Sequence, residues 1–128
     1  MFNYTRFRPW MIVLIFTLIY LAVLFVANGA DPKVFVTLGD CFQQCSGHDG
    51  SPCDEQDEGY DGQFAYYIAR DPSDAPDCLD VPAYRMQRIL LPVLGRVLSL
   101  GQEPLIPWAF VLINLIALVG GTLLLEDL

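Results

Sequence analysis

The sequence has few charged residues and none of the short motifs that mark the commonest enzyme classes. Charged residues make up 17% of the 128 residues, whereas a soluble domain of this length usually carries more. We find no nucleophile elbow, phosphate-binding glycine loop, metalloprotease helix or dinucleotide fingerprint, and no internal repeat or heptad pattern. Acidic residues outnumber basic ones by 15 to 7, which makes nucleic acid a poor partner.

What the chain does contain is two long apolar runs, at 10–27 and 108–125, each of 18 residues without a charge. A run of about 18–20 apolar residues crosses the ~30 Å hydrocarbon layer as a helix. We therefore predict a mainly helical membrane protein with two transmembrane helices. The first run could instead be a cleaved signal peptide, but it exceeds the usual apolar region of about 7–15 residues.

The two runs divide the chain into five segments and suggest an orientation. Arg6 and Arg8 precede the first helix, which predicts a cytoplasmic N-terminus and an extracytoplasmic segment 28–103. The acidic C-terminal end weakly opposes this orientation. We expect the cytoplasmic membrane of a prokaryote, with membrane lipids as partners. The predicted segments are a cytoplasmic leader (1–9), transmembrane helix 1 (10–27), an extracytoplasmic loop (28–81), an interfacial amphipathic helix (82–103), and transmembrane helix 2 with a stub (104–128).

The four cysteines all fall in the extracytoplasmic segment, at Cys41, Cys45, Cys53 and Cys78. An even number of cysteines in an oxidising compartment predicts two disulfides, and the sequence does not choose among the three pairings. A zinc site built from the first three cysteines and His48 is the alternative, although it would leave one cysteine over.

The acidic residues between the cysteines could hold a divalent cation. The spacing does not fit an EF-hand, because Ala65 stands where the bidentate glutamate belongs. A looser site could use Asp54, Asp57, Glu58 and Asp61. A solvated acidic loop explains the same residues without a metal.

The stretch GYDGQFAYYIARDP (59–72) contains the strongest local pattern in the loop. Apolar residues recur at helical spacing, which predicts a helix over 63–69 that ends before Pro72. Asp61 stands where an N-cap belongs, so it could act as a cap alone or as a cap that also takes part in catalysis. Upstream, VFVTLGD (34–40) could form a short strand.

The segment 82–103 is too short and too basic to span a membrane, so we predict a helix in the membrane interface. Its arginines, Arg85, Arg88 and Arg96, fall on one stripe together with Ser99. Pro92 should kink the helix. The arginines could anchor the helix near lipid headgroups or bind a phosphate.

Two motifs, (Y/W)DG-aromatic-aromatic-x-IA-x-DP and AYR-x-QRILLP, lie in order between the two spans. Together they resemble the N-terminal part of GT-C class membrane glycosyltransferases, closest to prokaryotic relatives of the GPI mannosyltransferases. The layout covers roughly 10–125, but only the two motifs match in detail. The matching positions are Tyr60, Asp61, Gly62, Gln63, Tyr66, Tyr67, Ile68, Ala69, Asp71, Pro72, Ala83, Tyr84, Arg85, Gln87, Arg88, Ile89, Leu90 and Pro92.

The resemblance implies a polyprenyl-phosphate sugar as donor and short helices along the membrane surface beside the active site. It assigns Asp61 as catalytic base or as part of a metal site, and it makes Arg85 and Arg88 candidates for binding the lipid phosphate. The substrate-lining residues that it implies are Tyr60, Gln63, Tyr67 and Arg70.

Two departures from that class shape the functional prediction. Such enzymes use many more spans to enclose their substrates, and the cysteine-rich insert is not part of their pattern. We therefore expect a glycosyltransferase-like N-terminal unit that is not a complete catalyst alone. The alternative is a non-catalytic two-span subunit whose loop packs in a larger assembly of membrane protein chains. The sequence does not indicate the sugar, the acceptor or the metal requirement.

Overall fold

The structure, a computed structural model, describes residues 8–39 and 59–126, and this part of the chain is mainly helical with no strand. Five α-helices alternate with short 3₁₀ turns. The α-helices are α1 (Pro9–Ala27), α2 (Gly62–Arg70), α3 (Pro82–Arg85), α4 (Leu90–Leu98) and α5 (Ile106–Glu126), and the 3₁₀ turns are Pro32–Phe35, Ala75–Cys78, Met86–Arg88 and Glu103–Leu105.

Helices α1 and α5 are both long and apolar enough to cross a membrane, as the sequence predicted. They form an antiparallel pair. Arg8 lies 3.9 Å from Glu126 at one end, and the rings of Phe25 and Trp108 lie 5.2 Å apart at the other. Proline opens α1, where its missing N–H costs nothing. No residue of α1 is fully buried within the described part of the chain: one side of the helix packs on α5, and the rest of its apolar surface is exposed.

The described core lies at the end of the helix pair marked by Trp108, where α2 and α4 pack on the first turns of α5. Its main cluster consists of Val36, Tyr66, Tyr67, Ala69, Cys78, Ile106 and Phe110. A second cluster on the other side of α2 consists of Phe64, Ile68, Ala75 and Leu79, with Met86 against it. Helix α2 is therefore buried on two sides, and this fixes the direction in which its N-terminus points.

Two local predictions are wrong. The expected strand at 34–40 is instead a 3₁₀ turn at Pro32–Phe35 followed by irregular chain to residue 39. Proline and the Asp31 carboxylate, which accepts a hydrogen bond from the Lys33 N–H, start a helical turn there. The expected single helix at 82–103 is divided into α3, a 3₁₀ turn and α4. Pro92 lies in the first turn of α4, where no intrahelical donor is needed, and so it does not kink a longer helix.

Candidate functional site

The start of α2 is held by the chain that follows α1. The N–H of Gly39 donates to Gln63 Oε1 at 3.0 Å, and the N–H of Tyr60 donates to the carbonyl of Thr37 at 3.1 Å. Gly59 has a φ of +70°, and a Cβ there would lie 2.3 Å from the backbone nitrogen of Gly39. Only glycine fits this crossing, which places the next two residues at the exposed end of α2.

Asp61 occupies the N-cap position, as predicted, but its side chain makes no cap hydrogen bond. The carboxylate instead forms an ion pair with Arg85, whose Nη1 lies 3.0 Å from Asp61 Oδ1. The predicted capping role of the side chain is therefore wrong. The backbone of Asp61 is helical, with φ −49° and ψ −26°, whereas a capping side chain normally requires an extended backbone.

Arg85 is fixed by a second carboxylate that the sequence analysis did not single out. Its Nε and Nη2 donate to the two oxygens of Asp80, each at 2.9 Å, which is the bidentate geometry in which arginine is strongest. The guanidinium also lies over the Phe64 ring, 4.2 Å from its centroid. Asp80 and Phe64 thus set the position from which Arg85 reaches Asp61.

The electrostatics of this cluster favour its ionised state. The hydrogen bonds from Arg85 hold the pKa of Asp80 below its ordinary value, and the Val81 N–H adds to this effect. The same bonds with Asp80, with a smaller contribution from Asp61, raise the pKa of Arg85. The side chain of Arg85 is only 14% exposed, whereas that of Asp61 is 62% exposed. The Asp61 carboxylate is therefore the most exposed of the three charged groups in this cluster.

Arg88 lies beside this cluster and is exposed. It donates to the Tyr84 hydroxyl, and its guanidinium lies over the same ring, 4.9 Å from the centroid. Asp61, Arg85 and Arg88 line one small cleft of about 60 Å³ between α2 and the start of α4. Ligand pockets are usually about 300–1,000 Å³, so this cleft can hold a reacting group but not a whole sugar.

The predicted substrate-lining residues do not all lie with Asp61. Tyr60 is next to it and 70% exposed, whereas Gln63 is buried and binds backbone. Tyr67 and Arg70 lie on the far side of α2, where they line a separate pocket of about 490 Å³. The structure therefore brings together the predicted catalytic and phosphate-binding residues, whereas three of the four predicted lining residues, Gln63, Tyr67 and Arg70, lie elsewhere.

Arg96 does not join the arginines on the predicted stripe. The break before α4 separates it from them, and its Nη1 donates to the backbone carbonyls of Ala69 and Arg70 at the end of α2. Ser99 is buried and donates to the carbonyl of Arg96. This part of the predicted stripe ties α4 to α2.

The metal and cysteine predictions fall mostly outside the described residues. Within 8–39 and 59–126, no group of three His, Cys, Asp or Glu side chains could hold a metal ion. Asp54, Asp57, Glu58, Cys41, Cys45, His48 and Cys53 lie outside these ranges. Cys78 is buried and is not a free thiol, and the disulfide pairing stays a prediction.

Comparison with known proteins adds no relative: no protein family, no curated protein and no solved structure matches the chain.

Chemically, the described cluster offers an outward carboxylate that can accept a proton, held in place by one arginine and flanked by another. A carboxylate in this position can act as a general base toward a hydroxyl group that enters the cleft. Arg88 can offer planar N–H donors to an anion such as a phosphate.

The sequence did not indicate Asp80 or Gly59 as site residues, because neither belongs to a recognisable motif. Their roles depend on contacts between separate segments.

Proposed function

We propose that this chain is the N-terminal unit of a membrane glycosyltransferase that uses a polyprenyl-phosphate sugar, with Asp61 as the general base. The observation that carries the proposal is the outward carboxylate of Asp61, held at 3.0 Å by an arginine that Asp80 clamps, with Arg88 in the same cleft. The two motifs that suggested the resemblance thus lie together in space.

In the proposed reaction, Asp61 takes the proton of an acceptor hydroxyl while the hydroxyl oxygen attacks the anomeric carbon of the donor sugar. The bond from that carbon to the phosphate oxygen breaks, and the polyprenyl phosphate leaves with the electron pair. Arg88 stabilises the negative charge on the leaving phosphate. Three of the five N–H groups of Arg85 already bind carboxylates, so its main role is to orient Asp61.

The position of the cleft supports a lipid-linked donor. Helices α2 and α4 pack on the first turns of α5, so the cleft stands beside the end of the two long helices. In a membrane-inserted chain with the orientation that Arg6 and Arg8 predict, this end faces away from the cytoplasm of a prokaryotic cell. A lipid phosphate at headgroup depth would then lie near Arg88.

Sugar transfer in native membranes tests the proposal, since the assay retains any further chains that complete the catalyst. The membranes are supplied with a radiolabelled polyprenyl-phosphate sugar, and transfer is compared between the wild type and Asp61→Asn. Asp74→Asn is the matched control, because Asp74 is an exposed acid outside the cleft. We expect transfer to fall with Asp61→Asn alone; equal transfer by all three would remove Asp61 from the chemistry.

One observation favours a second function, that of a two-span subunit in a larger membrane assembly. No residue of α1 is buried, and a Cβ added at Gly120 or Gly121 would meet nothing within 4 Å among the described residues. Small residues let helices approach closely in a membrane. Size measurement after purification in mild detergent tests this role. A complex larger than the monomer supports it, and a lone monomer contradicts it.

A further inference from the structure

A polar pocket lies on the side of α2 opposite Asp61. It measures about 490 Å³, which is within the usual range for a bound small molecule. Asn28, directly after α1, and Glu103, just before α5, both line it. The pocket therefore opens at the same ends of the two long helices as the aromatic cluster of Phe25, Phe35 and Trp108, whose rings lie 5.2–6.0 Å apart.

The aromatic cluster sets the depth of the pocket. Tryptophan and other aromatic rings concentrate at the level of the lipid headgroups, with their apolar bodies toward the hydrocarbon. If α1 and α5 cross the membrane as proposed, the pocket lies at headgroup level. A ligand that enters it from the bilayer would arrive with its polar end already at the right height.

Among the described residues that line this pocket, the charges balance. Lys33 and Arg70 contribute two cations, and Asp31 and Glu103 contribute two carboxylates. Glu103 accepts a hydrogen bond from the Tyr66 hydroxyl at 2.7 Å, which holds its carboxylate at the pocket wall. A lining with both signs suits a ligand that carries both signs, because a purely anionic ligand would leave two carboxylates facing its charge.

An apolar groove lies next to the pocket, in the face between α1 and α5. The groove measures about 280 Å³ and is lined mainly by aliphatic and aromatic side chains of the two helices, among them Leu21, Leu24 and Phe110. Val34 lines both the polar pocket and the apolar groove. The two spaces are therefore neighbours, with the Val34 side chain at their boundary.

We propose that the pocket and the groove together bind one zwitterionic phospholipid whose headgroup carries a primary ammonium. The ammonium binds the carboxylates of Asp31 and Glu103, the phosphate binds Lys33 and Arg70, and one acyl chain lies in the groove past Val34. This site is separate from the Asp61 cleft, because α2 stands between them. It rests on membrane insertion as proposed above, and it does not require the chain to be an enzyme.

Lipid binding by the purified full chain tests the proposal without any activity assay. The probes are short-chain phosphatidylethanolamine, phosphatidylcholine and phosphatidylglycerol in a neutral detergent, with bound lipid counted by native mass spectrometry. We expect phosphatidylethanolamine to bind about tenfold more tightly than the other two, since hydrogen bonds to charged groups are worth about that factor. A quaternary ammonium cannot donate N–H bonds, and a glycerol headgroup carries no cation.

Equal affinity for the three lipids would overturn the proposal, because it would indicate general contact with the helix surface. Soluble glycerophosphoethanolamine carries the same headgroup without acyl chains. It therefore tests whether the pocket binds a lipid or a free ligand. We expect it to bind far more weakly than the lipid. If it binds as tightly as the lipid, the groove contributes nothing and the pocket takes a free ligand.

Two pairs of variants locate the site. Lys33→Gln should lower phosphatidylethanolamine affinity, whereas Arg8→Gln, which removes the same charge at the opposite end of the helix pair, should not. Val34→Trp should block the junction, whereas Val23→Trp places the same bulk on an exposed position of α1. Lys33→Arg keeps the charge and should retain binding, which distinguishes a lost contact from a lost fold. Equal effects within both pairs would contradict the site.

Discussion

At the residue scale, the feature that organises the candidate site is one arginine between two aspartates. Arg85 donates to both oxygens of Asp80 and to one oxygen of Asp61, and it lies over the Phe64 ring. Removing either aspartate leaves the mostly buried guanidinium of Arg85 with fewer bonds. Asp80 therefore matters to the site although it does not line the cleft.

The acid sensitivity of the Asp80 pair gives the first prediction. Arg85 holds the pKa of Asp80 below its ordinary value of 3.8, so the pair stabilises the fold above pH 3.8 and this contribution is lost as the pH falls through the lowered pKa. We expect Asp80→Asn to melt at a lower temperature than the wild type at pH 7. The gap between the two melting curves should shrink below pH 3.8.

Thermal unfolding followed by circular dichroism, from pH 7 down to pH 2, measures this gap. A constant difference between the two proteins across the whole range would show that the charge on Asp80 does not contribute.

Two neighbouring tyrosines give the second prediction, because only one of their hydroxyls has a hydrogen-bond partner among the described residues. The Tyr66 hydroxyl donates to Glu103 at 2.7 Å, whereas the buried Tyr67 hydroxyl has no hydrogen-bond partner among the described residues. Tyr66→Phe should lower the free energy of unfolding by about 1 kcal/mol. Tyr67→Phe removes a buried polar group without a partner, so stability should be unchanged or higher.

The free energy of unfolding of both variants is measured in one detergent by one denaturation assay, so each variant is the control for the other. A larger loss in Tyr67→Phe than in Tyr66→Phe would contradict the assignment of the two hydroxyls.

At the element scale, the position of α2 depends on how closely α4 approaches α5. A Cβ at Gly95 of α4 would lie 2.2 Å from the Phe110 ring, which is itself buried in the main cluster. We expect Gly95→Ala to cost about 1–3 kcal/mol, because the ring and α4 must move apart. The cleft between α2 and the start of α4 should widen with it.

Gly120→Ala is the matched control for that prediction. It makes the same change inside α5 at a place where the added methyl meets nothing within 4 Å among the described residues, and alanine is the better helix former. Its unfolding temperature should be unchanged or higher. Equal destabilisation by the two variants would contradict close packing as the cause.

The elements also show how much the sequence could predict. Helices α1, α2 and α5 followed from uninterrupted apolar length and from helical spacing, which are local signals, and all three are confirmed. The break before α4 and the role of Gln63 did not follow. They depend on contacts with segments 24 or more residues away, such as Gln63 with Gly39 and Arg96 with Arg70. Local patterns carry no information about such partners.

The same limit applies to the site. Asp61, Arg85 and Arg88 could be proposed from two short motifs, and the structure places them in one cleft. That Arg85 is engaged mainly by Asp80 could not be read, because an isolated aspartate five residues before an arginine is common. That Tyr67 and Arg70 face away from Asp61 could have been read from the predicted helix, since about 100° per residue places Arg70 on the side of α2 opposite Asp61.

At the scale of the whole molecule, the account requires the end of the helix pair that carries α2 to face away from the cytoplasm. Ser73, which is exposed after α2, reports on that side. We expect Ser73→Cys to react with a membrane-impermeant maleimide in intact spheroplasts, and an N-terminal tag to become accessible only after lysis. The wild-type chain, labelled in the same way, measures the background from its own cysteines. Labelling of Ser73→Cys only after lysis would reverse the orientation.

The initial rate of sugar transfer by Asp61→Asn, relative to the wild type, tests the central claim most directly. Both proteins are present at equal amounts in native membranes, and the polyprenyl-phosphate sugar is saturating. A positioned general base typically contributes about 10²–10⁴-fold to a rate, so the account predicts a fall of at least about a hundredfold. A rate within a few-fold of the wild type, from a variant that folds and inserts normally, would contradict it.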